Sequence, residues 1–400
     1  MAAAQYSTGG GSGEEGAAAS PPKKLISDCV HGMMPIPGYA RDVITHPLFK
    51  RLGRIKQCGT LHHAWPAATH TRLEHSLGTM HLAEEYSRYL GFRPAFRRTF
   101  GLASLLHDIG HGPFSHVFEK AIKDTPSGEI FRDHDRWRVR LVCDNTTLTA
   151  AIAEKNIDVF PTFQQTNEAV GDILAIWNDN PGQAMFLTPE EIHIGHALLA
   201  GVAGVDRMDY LLRDSYHTNP QHRIDRTAVQ AIMHHTTIDL DAGTVTYTPK
   251  GEHYVQLLLE ARAYMHREVY THHRAIEADL AITRAFQWGL EAVARPCVNV
   301  LDFEQLTDGW VEQQAFDTRY LDITLPGVTA AGILKEDSLL DAIRGTTKPL
   351  IPCDPDDPDA VFTATSDGLS PCDLSHITNR WPNNPSTTSA LKPKTSENKV

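Results

Sequence analysis

The sequence predicts a mainly α-helical chain with one short β-hairpin and a small mixed region toward its C-terminal end. Two observations carry this. Apolar residues recur at helical spacing in Leu77, Met80, Leu82, Ala83, Tyr86 and Leu90, and again in Phe100, Leu102, Leu105 and Leu106. Strand composition flanks a turn in only one clear place, where Thr236-Thr237-Ile238-Asp239-Leu240 and Thr244-Val245-Thr246-Tyr247-Thr248 bracket Asp241-Ala242-Gly243.

Taken in order, residues 1–23 form a low-complexity Gly, Ser, Ala and Glu leader that cannot offset its own ordering entropy by burial and is expected to be disordered. Residues 24–290 form the expected helical core, with Pro35, Pro37, Pro66, Pro94, Pro113 and Pro126 punctuating its first half. After the hairpin, one long helix is expected from about His253 to Leu290. Residues 291–380 read as a mixed C-terminal region containing an Asp/Pro-rich loop at 352–359, and residues 381–400 as a disordered polar tail. A hydrophobic fraction of 41% over 400 residues suffices for a substantial core. No stretch is apolar enough to span a bilayer and no signal-peptide hydrophobic region is visible, so the expectation is a soluble intracellular protein of cytoplasm or nucleus with no membrane partner. The six cysteines lack C-x-x-C spacing, which argues against a zinc ribbon and fits reduced thiols. A formal charge of −12 disfavours broad nucleic-acid binding. Local charge differs from the total: Lys50, Arg51, Arg54 and Lys56 cluster, either as a solvated helix face or as nucleotide contacts.

The chemistry concentrates where the helix ending at Leu106 runs into His107-Asp108-Ile109-Gly110-His111-Gly112-Pro113-Phe114-Ser115-His116. Adjacent imidazole and carboxylate can share one divalent cation with ligands from elsewhere. Candidates are His75, at the start of the preceding helical pattern, and Asp206, in Val205-Asp206-Arg207-Met208-Asp209-Tyr210 on a third helix. Two imidazoles and two carboxylates suit iron, manganese or zinc, and leave positions for water and a phosphate oxygen. His111 and His116 lie in an otherwise Gly, Pro, Phe and Ser stretch, where unpaired imidazoles would be costly to bury.

His75, His107-Asp108 and Asp206, in that order, resemble the H…HD…D signature of the HD phosphohydrolase superfamily, and so the expected architecture is an HD-domain helical bundle. The surroundings, Arg51-Leu52, Ile55-Lys56-Gln57, His70-Thr71-Arg72-Leu73-Glu74-His75-Ser76-Leu77-Gly78 and Asp206-Arg207-Met208-Asp209-Tyr210, are similar to the catalytic core of the SAM-and-HD-domain deoxynucleoside triphosphate triphosphohydrolases, without the SAM domain. The resemblance covers about residues 24–285. It implies hydrolysis of a dNTP to deoxynucleoside and inorganic triphosphate by a metal-activated water, with Mg²⁺ admitted as a companion of the nucleotide. His116 is the candidate general acid, because Glu119 follows at i+3 and can orient its ring in a helix; the family normally has Asp there. The resemblance also places His111 and His134 in the catalytic pocket, the latter with an exposed-loop alternative.

For the substrate it implies Gln57 near the sugar 3′-hydroxyl, with Cys58 where the family has leucine, and Tyr210 against the sugar. Arg207 stands for a phosphate-contacting Lys, a change that keeps charge and alters fork geometry. Arg72, Asp214, Arg262, His266 and Tyr270 complete the set. Arg262, His266 and Tyr270, four residues apart, share a helix face, while Tyr264, Met265 and Val269 read as core. Two alternatives remain: an HD phosphohydrolase acting on another nucleotide phosphoester, and a catalytically silent nucleotide-binding protein.

In animal members, nucleotides drive tetramers through regulatory sites. Of those positions Lys24 is kept, but Ser27 stands for Asn, Thr45 for Asp and Gly53 for Arg. The resemblance therefore implies a homo-oligomer, dimer or constitutive higher form, that has no need of GTP.

Overall fold

The computed structural model describes residues 24–122, 133–154, 166–280, 282–283, 306–309, 362–365 and 368–371. The expected leader and tail, and most of the mixed C-terminal region, lie outside these residues.

The chain enters through a hairpin of β1 (Leu25–Asp28) and β2 (Gly32–Pro35), paired with Leu25 opposite Pro35 and Asp28 opposite Gly32. The sequence reading missed it. Its strands have four residues each and no clean alternation; what makes the turn is the Asp28 carboxylate, which accepts from the Val30 and His31 amides, and Gly32 at φ 72°. Short helices α1 (Arg41–Thr45) and α2 (Pro47–Arg51) follow.

Two helices build the centre. The first, α3 (Arg72–Tyr89), starts at a reciprocal capping box: Thr71 Oγ1 accepts from the Glu74 amide, and Glu74 Oε2 accepts from the Thr71 amide at 2.6 Å. The second, α4 (Pro94–Leu106), begins with proline at its first position and buries Phe96, Phe100, Leu102, Leu105 and Leu106. They pack on each other, and α3 also packs on a later helix spanning Val205–Thr218.

Between them come α5 (His116–Ile122), α6 (His134–Asp144), α7 (Thr146–Glu154), α8 (Thr166–Asn178) and α9 (Pro189–Ala200). The Val205–Thr218 helix, α10, is entered through Gly201 and Gly204; a Cβ on Gly204 would fall 2.2 Å from the Leu199 carbonyl oxygen, so the bend that delivers Asp206 requires glycine. Helix α11 (Arg226–His234) leads into the anticipated hairpin, β3 (Thr236–Asp239) with β4 (Thr244–Tyr247). The long terminal helix differs from expectation. It starts at Thr248-capped Pro249, is α-helical to Met265 (α12), widens to a π-turn over His266–Tyr270, and breaks before a helical stretch at 273–280. Thr271 closes the break by donating its hydroxyl to the His266 carbonyl at 2.8 Å, a local bond that competes with helix continuation. Among the described residues the main hydrophobic core runs from Met34 to Leu306, a small second cluster joins Phe114, Val117 and Ile282, and a further strand pair joins Phe362–Thr365 to Gly368–Pro371.

Candidate metal centre and catalytic pocket

His75 projects from the first turn of α3, His107 and Asp108 from the end of α4, and Asp206 from the first turn of α10. Their ligand atoms converge. His75 Nε2 lies 3.1 Å from His107 Nε2, 3.1 Å from Asp206 Oδ1 and 3.6 Å from Asp108 Oδ2; His107 Nε2 lies 3.5 Å from Asp206 Oδ1 and 3.4 Å from Asp108 Oδ1. Tetrahedral ligands at about 2.0–2.1 Å from one ion are separated by roughly 3.3–3.4 Å; His75, His107 and Asp108 are mutually close enough to share a cation, and Asp206 Oδ1 reaches both imidazoles.

The tautomers agree. His75 Nδ1 donates to Asp209 Oδ2 at 2.8 Å and His107 Nδ1 donates to the Ser104 carbonyl at 2.7 Å, which leaves both Nε2 lone pairs facing the shared point. Burial opposes charge on His75, but hydrogen bonds to Asp206 and Asp209 and the Asp108 charge outweigh it and push its pKa up to about 10. The Asp108 carboxyl is held well below the usual range despite its burial, chiefly by Arg72 and His107. His75, His107 and Asp108 are buried, whereas the Asp206 side chain is 34% exposed and marks the open side.

Next to this centre stand His111, His116, Glu119 and His134. Glu119 accepts from two sides, His134 Nδ1 at 2.9 Å and His116 Nδ1 at 3.2 Å, and lies 3.4 Å from His111 Nδ1. His111 stacks on His134 with ring centres 3.9 Å apart, and its Nε2 reaches Asp108 Oδ1 at 3.3 Å. Burial, Arg72 and His134 together push His111 down to about 3, so it is neutral at physiological pH. His134 is pushed up because Glu119 outweighs its burial. Glu119 is itself held far below its ordinary value by the three imidazoles, against the effect of burial. His116 is the exposed member, at 57%, and so the one open to an incoming group. The longer Glu side chain orients two rings, one per carboxylate oxygen, where sequence reasoning assigned it one.

A family model for the HD domain matches residues 72–175, which contain His75, the His107-Asp108 doublet and the whole histidine cluster. A deoxynucleoside triphosphate triphosphohydrolase SAMHD1 homolog of Dictyostelium discoideum is 30% identical over 273 residues, 66% of this chain and 49% of its own. An uncharacterized protein of Methanocaldococcus jannaschii is 31% identical over 265 residues, again 66% and 49%. The crystal structure of a phosphohydrolase from Bacteroides thetaiotaomicron superposes with a TM-score of 0.61 at 25% identity, covering 80% of this chain and 77% of that one. The chain carries an HD domain and is similar to HD-domain phosphohydrolases. It spans about half the length of the curated relatives it matches.

The remaining candidates fall in two groups. Asp214, Tyr210, Arg262, His266 and Tyr270 form one wall: Tyr270 donates to Asp214 Oδ2 at 2.5 Å, Arg262 Nε donates to the Tyr210 hydroxyl at 3.3 Å, and the His266 and Tyr270 rings meet edge-on at 5.1 Å. Arg207 joins them electrostatically, since burial and then Arg262 and Arg207 push His266 down to about 4. The Arg207 guanidinium also caps the Gly201 and Val202 carbonyls. Gln57 Oε1 is buried without a hydrogen-bond partner among the described residues. Arg72 is placed differently. Its Nη1 pairs with Asp108 and its Nε with Ser115 Oγ at 2.7 Å, so it holds the centre together from behind.

Sequence reasoning missed a buried layer beneath His75. Asp209 receives His75, His31 Nε2 at 2.6 Å and both arms of Arg213, and Arg213 also reaches Asp28 Oδ2 at 2.8 Å. The N-terminal hairpin thus braces a candidate metal ligand. Arg51, read as either solvent-facing or nucleotide-binding, is neither: it is fully buried and donates to the Ile109 and Leu306 carbonyls.

Proposed function

We propose that this chain hydrolyses deoxynucleoside triphosphates to deoxynucleoside and inorganic triphosphate with one divalent transition metal, iron, manganese or zinc. The observation that carries the reading is the juxtaposition of the His75, His107 and Asp108 cluster, with Asp206 against both imidazoles, and an exposed, carboxylate-oriented histidine. A bound ion supplies a Lewis acid that lowers the pKa of water and neutralises phosphate charge. The chain's residues do the rest. His75, His107, Asp108 and Asp206 hold the ion, with Asp209 and Ser104 fixing the imidazoles. His116, oriented by Glu119, gives its proton to the leaving 5′-oxygen, and His111 and His134 line the path of the phosphates. The wall of Tyr210, Asp214, Arg262, His266 and Tyr270, with Gln57, supplies donors and acceptors for sugar and phosphate.

Support for the substrate class comes from relatives described as dNTP triphosphohydrolases; other relatives are uncharacterized. The deciding experiment incubates the metal-loaded full chain with each dNTP and NTP, resolving products by ion chromatography. Triphosphate with deoxynucleoside supports the proposal. Orthophosphate or pyrophosphate, or activity only on a monophosphate, assigns another phosphoester; nucleotide binding without turnover assigns a silent protein.

A further inference from the structure

The loop between the metal centre and His116 carries an unusual backbone. Phe114 and Ser115 are consecutive non-glycine residues in the left-handed region, at φ 52° and 58°. Side chains disfavour that conformation, and two in succession persist only where the surroundings over-determine them. Here the surroundings include a segment almost two hundred residues downstream. Asp308, only 2% exposed, accepts from the Phe114 amide with Oδ1 at 2.7 Å and from the Lys56 amide with Oδ2 at 2.9 Å. Lys56 Nζ lies 3.6 Å from the same carboxylate. The Leu306 carbonyl is held by Arg51 Nη1 at 2.9 Å, while Nη2 of that guanidinium holds Ile109, two residues before His111.

These bonds close a ring through the pocket. Ser115 Oγ donates to the Lys56 carbonyl at 2.9 Å and accepts from Arg72 Nε, and Arg72 in turn pairs with Asp108. One buried carboxylate therefore fixes two strips: the turn that launches α5 at His116, and the backbone next to Gln57. We propose that Asp308 is a positioning residue. It clamps the left-handed Phe114–Ser115 turn and so aims His116 at the reacting phosphate ester, without touching substrate or metal.

The kinetic part rests on the proposed dNTP hydrolysis; the structural part does not. The test compares the full-length chain with Asp308→Ala, Asp308→Asn and Asp308→Glu by amide hydrogen exchange, metal content and steady-state kinetics on a dNTP. Asp308→Ala should exchange at least about tenfold faster at the Phe114 and Lys56 amides, which lose their acceptor. It should keep its metal and lose kcat about ten- to a hundredfold, as expected for a misplaced catalytic group, with a smaller change in KM. Asp308→Asn, which keeps one acceptor oxygen, should fall between. Should Asp308→Ala not fold, the graded exchange of Asn and Glu at those two amides decides. Wild-type exchange at both amides, or unchanged kcat with accelerated exchange, overturns the proposal. If the wild-type chain releases no triphosphate, the functional reading fails and the exchange result still settles whether Asp308 holds the turn.

Discussion

Glu119 accepts hydrogen bonds from His116 and His134 and lies beside His111, and these three imidazoles are not equivalent. His116 alone is exposed. His116→Ala should therefore retain metal, measured by elemental analysis, and lose turnover by roughly two to four orders of magnitude; parallel loss of metal would make it a ligand instead. His134 offers a second measurement. Its pKa is raised by the Glu119 hydrogen bond and charge against the effect of burial. Its charged form is favoured at low pH and is lost as pH rises through that raised value. Glu119→Gln removes the charge, so His134 should deprotonate at lower pH, visible as a downward shift of its NMR titration midpoint. An unchanged midpoint would mean another group sets it. At this scale the sequence was legible where chemistry is local. The His107-Asp108 doublet and the His116–Glu119 spacing are read directly, whereas the pairing of His31 with Asp209 is a tertiary contact that leaves no periodic trace.

Elements approach one another here at glycines, and two of these govern the site. A Cβ on Gly78 of α3 would fall 1.9 Å from Asp209 Oδ1 and 2.5 Å from an Arg213 nitrogen on α10. A Cβ on Gly110 would fall 2.1 Å from the His134 carbonyl oxygen and 2.6 Å from the Arg138 amide nitrogen, both backbone atoms of α6. Gly78→Ala should displace the acceptor that orients His75 and weaken metal affinity roughly ten- to a hundredfold. Gly110→Ala should leave affinity closer to wild type and impair turnover by moving His134. Each should also destabilise by about 1–3 kcal/mol through overpacking, measured by denaturant unfolding. Equal metal loss in both would show that the two contacts do not act separately. Helix α4 and the Asp241-Ala242-Gly243 hairpin were legible because propensity, period and turn residues agree. The break at Thr271 was not, because the apolar pattern continues across it and only a side-chain to backbone bond interrupts the helix.

At the scale of the molecule, the sequence located the centre but not what encloses it. The carboxylate that pins the pocket loop lies beyond the stretch read as the core, in a region whose composition gives no sign of inward contacts. The proposed function carries an expectation about regulation. Thr45 uses its hydroxyl on the Asp42 carbonyl, and Gly53 is exposed with no side chain to offer a phosphate. If the animal relatives' regulatory positions carry over as the resemblance implies, two charge-assisted contacts worth about 1.5–3 kcal/mol each are missing here. Hydrolysis of a dNTP should proceed at full rate without GTP, and sedimentation should give the same oligomer with and without it. A GTP requirement coupled to tetramer formation would show a regulatory site built from other residues. The ligand set itself has a further consequence. Its four members come from three helices that are distant in sequence, and only the folded chain brings them together. A cation that binds them alone acts as a removable cross-link, contributing about 2.7 kcal/mol at a hundred times its dissociation constant. Chelation should therefore lower the melting temperature and shorten survival in a timed protease digest, so that metal scarcity would govern how long the protein lasts as well as how fast it turns over.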